Sequence, residues 1–159
     1  MTLEGKSLRE SMSARVATQL EALDLILKGA TEETMNRRPE PGKWSARENL
    51  AHLARYHEVF LERIERILRE DTPQLPRYSA EEDPEWPRWV GAPTAKILEG
   101  MRERRAVLSA RISRLSSAEL ARTGVHSRMG ALTIPEWIEF FLTHEAHHLY
   151  TIFLQVRGA

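Results

Sequence analysis

The stretch TIPEWIEFFLTHEAHHLYTIFLQ, Thr133 to Gln155, decides how this chain is read. Ile134, Ile138, Phe141, Leu149 and Ile152 recur at helical spacing and share one sector of a helix. Thr133 and Glu136 have the spacing of a capping box, and Pro135 suits a first helical turn. Near the C-terminal end stands His144-Glu145-Ala146-His147-His148. Residues four apart in a helix lie about 40° apart around the axis and about 6 Å along it. His144 and His148 can therefore aim two imidazoles at one point, as a divalent ion requires. They lie with Trp137 on one edge of the apolar sector, whereas His147 falls roughly 60–100° beyond them, toward solvent. A third ligand has to come from elsewhere in the chain.

His144-Glu145-x-x-His148 also spells the zinc-peptidase pattern of two ligands and a glutamate base. Such enzymes take their third ligand downstream. Leu149 to Ala159 contains no His, Asp or Glu, so that context fails and the peptidase reading with it.

Working outward, three further helical segments stand out and no strand is convincing. The first covers about Leu8 to Gly29, with Val16, Leu20, Leu23, Ile26 and Leu27 at helical spacing. Thr31 to Lys43 reads as a short helical turn and a proline-rich bend. The second long helix opens at Ser45, where Ser45 and Glu48 have capping-box spacing, and ends near Asp71 because Pro73 and Pro76 cannot continue it. Residues 72–93 form a long connection, expected to act as a lid or crossover arm. The third helix spans about Thr94 to Leu115, followed by a loop holding Gly124 and Gly130 and a helical turn near Ser117 to Leu120. One all-α domain over residues 1–159 follows, a four-helix bundle with long loop or crossover connections.

Composition narrows the function. With 23 Lys and Arg against 23 Asp and Glu the net charge is zero, so neither nucleic acid nor an anionic membrane has global electrostatic support. Arg102, Arg104 and Arg105 are expected on a solvated helix face. No cysteine is present, which excludes disulfides, thiolate ligands and a protein-borne thiol nucleophile. No stretch reads as a signal peptide or approaches bilayer-spanning length, and the expected location is the cytoplasm.

The second helix carries two histidines. Its main apolar stripe, Leu50, Leu53, Phe60, Leu61 and Ile64, contains His57, while His52 shares a second stripe with Tyr56 and Val59. Periodicity favours His57 as the inward one, but a bundle helix contacts two neighbours and His52 can still face the bundle mouth. The helical wheel leaves both open. Trp44, Trp86, Trp89 and Trp137 are candidates to line a mouth, Trp137 foremost, with core or anchoring roles the alternative. Arg88 and Tyr56 are weaker candidates to hold an anionic substrate.

Pro41-Gly42-Lys43-Trp44-Ser45 with Glu48, His52 and Leu53 resembles the second-helix signature of the DinB-like (YfiT-like) metal-binding bundles. Gly130 to Ile134 followed by His144 to His148 resembles their fourth-helix signature, and the order of elements agrees over nearly the whole chain. The resemblance implies a three-histidine site of His52, His144 and His148, open to water or substrate, and so selects His52 over His57. His57 stands where relatives often carry an acidic residue, which leaves it a core residue, a partner to a ligand or a fourth ligand. Glu145 stands where relatives commonly have Asp, and would either orient a ligand imidazole or pair at the surface.

Three neutral imidazoles leave a divalent ion its full charge and an open position, and imidazole ligation suits zinc or nickel. The resemblance implies a thiol S-transferase, joining a small-molecule thiol to an electrophilic substrate in detoxification or stress response, and a homodimer. A metal-dependent hydrolase using a bound hydroxide, with Glu145 or His57 as proton acceptor, is the alternative enzyme. A non-catalytic, metal-stabilised dimerisation or binding module is the third reading.

Overall fold

A computed structural model describes residues 8–159. Four long helical elements form the bundle: α1 (Glu10–Thr18) continued by α2 (Ala22–Ile26), then α4 (Ala46–Arg69), α6 (Thr94–Ser113) and α8 (Ile134–Arg157). Short helices α3 (Glu32–Asn36), α5 (Trp86–Gly91) and α7 (Ser117–Leu120) punctuate the connections. α4 packs against both α6 and α8, and α1 closes the bundle by touching those same two helices. No described helix is long and apolar enough to cross a membrane.

The helix starts follow their local chemistry. Ser45 and Glu48 form a reciprocal capping box on α4, the Ser45 N–H donating to Glu48 Oε2 at 2.7 Å. At α8 the Glu136 carboxylate accepts from the Thr133 N–H at 2.7 Å and its hydroxyl at 2.8 Å. Gly158, at φ 76°, ends α8 in the left-handed cap that glycine adopts without steric cost.

Two expectations about secondary structure need correction. The first helix is not continuous: Gln19–Glu21 forms a 3-10 turn. At that break Arg105 Nε donates to the Val16 carbonyl at 2.7 Å, and Gln19 turns its amide to the Leu142 carbonyl at 3.0 Å and to Glu145 Oε1 at 2.9 Å. Strands also exist. β1 (Gln74–Leu75) runs parallel to β2 (Thr123–His126), which forms an antiparallel hairpin with β3 (Gly130–Thr133). Strands this short carry no alternation to read, and the sheet exists because tertiary packing brings the segment after α4 to the segment before α8. Gly124 is required there, since a Cβ would lie 2.8 Å from Ile67 Cγ1 and 2.9 Å from Leu75 Cδ1.

The core falls into two apolar halves. One gathers Phe60, Ile64 and Ile67 of α4 with Leu108, Ile112, Trp137, Ile138 and Phe141; Phe60 and Phe141 stack at 4.5 Å. The other gathers Leu50, Leu53 and Ala54 with Ile97, Met101, Leu149 and Ile152. Along each helix the boundary between halves is polar: His57 on α4, Arg105 on α6 and Glu145 on α8, all buried. Arg105 was expected on a solvated face; it is inside because the Glu145 carboxylate meets it there. Arg104 is half-buried against Glu58 at 2.5 Å, while Arg102 pairs with Asp24 on the surface as expected.

Candidate metal centre

His52 of α4 and His144 and His148 of α8 meet at one end of this polar layer, with one ligand atom from each within 4.8 Å of the others. His52 Nε2 and His144 Nε2 are 3.1 Å apart. His148 Nδ1–H donates to Asn49 Oδ1 at 2.8 Å, which turns the Nε2 lone pair toward the same point. Asn49 is itself held, its amide nitrogen donating to the Ser45 carbonyl at 2.9 Å. The start of α4 thus fixes a ring on α8. His52 Nδ1 and His144 Nδ1 are buried without a hydrogen-bond partner among the described residues.

Burial is the main cause that keeps all three rings neutral. It lowers His52 to about 2, aided by the neighbouring His148 and His144. It lowers His144 to about 4, with help from His147 and Arg63, and His148 to about 3, with help from His144 and His147. Neutral rings with converging lone pairs are the donor set a divalent transition ion takes.

The imidazoles lie on the wall of a cavity of about 460 Å³. Tyr56 packs on His144, with ring centres 4.6 Å apart, and Tyr78 stacks on His52 at 5.9 Å. Tyr78 comes from the long connection after α4, which also supplies Arg77 and Ser79 to Glu81. That connection is a crossover arm whose first half builds a wall of the site. Trp44 lies 5.1 Å from His52 and 6.3 Å from His148, and separates this cavity from a neighbouring one lined by Lys43, Asn49 and His147.

Several placements differ from expectation. Trp137, foremost for the mouth, is fully buried and donates from Nε1 to the Gly124 carbonyl at 3.2 Å. Its edge of the wheel continues the stripe of His144 and His148, but β2 covers it. Trp44 takes the mouth position, and Trp86 packs against it at 5.2 Å. Trp89 is a buried anchor against Gly100. His147 is exposed, as its angle implies.

His57 and Glu145 do not join the three imidazoles. Glu145 accepts two hydrogen bonds from Arg105, both at 2.8 Å, and one from Gln19. His57 donates from Nδ1 to the Leu53 carbonyl at 2.7 Å, so its Nε2 accepts from Arg105 at 3.0 Å. Burial, then the Arg105 charge, hold His57 at about 3. Neither residue lines the cavity. Glu145 is neither an orienter of a ligand ring nor a surface partner; it is the counter-ion of a buried arginine.

Sequence reasoning missed Asn49, Arg63, Tyr78, His126 and Arg128. Only Asn49 carried a signal, one turn ahead of His52 on a helix already assigned to the site. The others reach the cavity through loop and sheet geometry.

Comparison with known proteins agrees with the fold. YuaE of Bacillus subtilis is 27% identical, over 77% of this chain and 83% of its own. A protein of Oceanobacillus iheyensis that carries the name of a putative metal-dependent hydrolase is 23% identical, over 85% of this chain and 78% of its own. Among solved structures the fold matches YfiT of Bacillus subtilis, described as a probable metal-dependent hydrolase with an unusual four-helix bundle topology. The TM-score is 0.78 at 18% identity, over 98% of this chain and 94% of that one. The sequence profile of the DinB superfamily matches residues 15–152, and the chain belongs to that superfamily.

Proposed function

We propose that this chain is a metal-dependent enzyme whose ion, zinc or nickel, is held by His52, His144 and His148, and that it transfers a small-molecule thiol to an electrophile. The carrying observation is the convergence of three neutral imidazoles on the wall of an open cavity. A divalent ion there supplies Lewis acidity and lowers the pKa of a thiol or water that it binds. The chain's own groups do the rest. Asn49 orients His148, Trp44 and Tyr78 shield the imidazoles, and the Tyr56 hydroxyl, which accepts from Arg63 at 2.9 Å, keeps its hydrogen for a ligand.

Hydrolysis is the second reading, favoured by the names of the Oceanobacillus relative and YfiT. The cavity wall bears on the choice. Glu145 and His57, the expected proton acceptors, lie outside it, and His126 Nδ1 already accepts the backbone N–H groups of Arg128 and Met129. The carboxylate that does line it, Glu81, is exposed. A thiol is already far more acidic than water, so at such an ion it would reach its nucleophilic anion with the proton passing to solvent, and the lack of a base on the wall weighs less against transfer than against hydrolysis.

The test begins with metal analysis of protein purified without an affinity tag. One ion per chain is expected, lost in His52→Ala, His144→Ala and His148→Ala and kept in His57→Ala. Zinc- and nickel-loaded protein is then assayed with monochlorobimane and a panel of low-molecular-weight thiols, and with p-nitrophenyl acetate without thiol. Thiol-dependent turnover lost in the three ligand variants supports transfer, and thiol-independent ester cleavage lost in them supports hydrolysis. Failure of the wild type to take up either ion sinks both.

A further inference from the structure

The cavity that presents the three imidazoles also carries a wall of arginines without counter-ions. Arg63 of α4 is only 8% exposed, yet no carboxylate among the described residues pairs with it. It lies eleven residues after His52, which returns it to within about 20° of the same helix face. Its side chain bonds the Tyr56 hydroxyl and, at 2.8 Å, the Pro76 carbonyl. An arginine has five N–H donors, so most of Arg63's remain unused. Its guanidinium lies 5.7 Å from the Tyr56 ring centre and 5.4 Å from that of Trp137, contacts that compensate a buried charge only in part. The contrast within the fold is sharp: the other buried arginine, Arg105, has a carboxylate bound by two hydrogen bonds.

Further cationic groups face the same space. Arg77 and Arg128 line the cavity, are exposed, and form no ion pair among the described residues. His126 also lines it; with Nδ1 accepting two backbone N–H groups, its proton sits on Nε2 as a further donor. Against these stands one carboxylate, Glu81. The chain as a whole has zero net charge, so this imbalance is local.

Resting on the metal-centre reading, we infer that the cavity takes an anionic substrate, a small molecule whose carboxylate or phosphate is held by Arg63 with Arg77, Arg128 and the His126 N–H while its reacting group faces the imidazoles. The planar guanidinium fork matches either oxyanion with two parallel hydrogen bonds, and a buried cation lacking its own carboxylate gains most from a ligand that brings one. The aromatic groups between the two ends, Tyr56 and Phe140, suit a short apolar linker. The exposed arginines draw the anion in, and Arg63 fixes its position.

The experiment compares 3-mercaptopropionate with its uncharged counterpart 3-mercaptopropan-1-ol by calorimetry on zinc-loaded protein, using the thiol as an anchor for the ion. Wild type is expected to bind the carboxylate thiol about tenfold to hundredfold more tightly. The preference should fall to about twofold or less in Arg63→Gln and drop in part in the double variant Arg77→Gln/Arg128→Gln, whose surface positions leave folding intact. Comparing the preference between proteins cancels the thiols' own acidities. Equal affinities in wild type, or a preference that survives in both variants, overturns the inference. Zinc analysis of the same samples separates the two failures. One zinc per chain without a carboxylate preference sinks the anion site alone, whereas no zinc uptake sinks the metal centre and this inference with it.

Discussion

Replacing Glu145 by alanine tests whether the polar layer is structural. The substitution removes two hydrogen bonds from Arg105 and one from Gln19, and leaves the guanidinium buried with only the Val16 carbonyl and His57 Nε2 as partners. Two charges about 4 Å apart attract by about 4 kcal/mol at the effective dielectric found in proteins. Breaking a buried pair by removing one partner costs about 3–5 kcal/mol, which agrees. For a domain of this length each kcal/mol lowers Tm by about 2–4 °C, so the variant should melt roughly 6–20 °C below wild type. The double variant Arg105→Met/Glu145→Leu removes both charges and should recover most of the loss. Urea unfolding, thermal melts and metal analysis are the assays. Metal uptake should stay at wild-type level in both variants, because the pair lies outside the cavity. A loss under about 1 kcal/mol in Glu145→Ala, or lost metal uptake with stability intact, would refute the structural assignment and return Glu145 to the site.

Other perturbations follow from the same contacts. Asn49→Ala removes the acceptor that orients His148 and should weaken zinc affinity about 10–100-fold with little change in Tm; an unchanged affinity by competition with a chelator would count against that role. His57 is held neutral in the fold down to about pH 3, whereas in the unfolded chain it protonates near 6.5. The unfolded state therefore binds the extra proton between those values, and stability falls with decreasing pH, by about 1.4 kcal/mol per unit well below 6.5. His57→Gln should be less stable at pH 7 yet show a shallower decline in urea unfolding from pH 6.5 to 4.5; an identical slope contradicts the assignment. Gly124→Ala places a methyl group against Ile67 and Leu75 and should cost about 1–3 kcal/mol, and an unchanged Tm would show that β2 does not sit as described.

Much of this was legible from local pattern. The long helices, both predicted capping boxes and the pairing of His144 with His148 depend on residues three or four apart, and a helix fixes such neighbours whatever surrounds it. His147 could be sent to solvent by the same arithmetic. The choice of His52 came from resemblance, because α4 is buried on two faces and periodicity cannot rank inward positions when both His52 and His57 are inward. The short strands and the break at Gln19 left no trace, since each answers to partners far along the chain.

By itself, then, the sequence determined an all-α bundle and a helix presenting two imidazoles on one face, because backbone geometry makes those relations local. Helical spacing left the third histidine open between His52 and His57, and contacts in the fold seat His52 beside the pair; only the tertiary structure decided that Glu145 belongs to Arg105. It likewise decided that Trp44, not Trp137, guards the mouth, and that Arg63, Arg77 and Arg128 converge on one cavity in a chain of zero net charge. The physical reason is common to all four. Burial and charge compensation depend on which side chains arrive from other helices and loops, and one-dimensional spacing holds no record of that arrival.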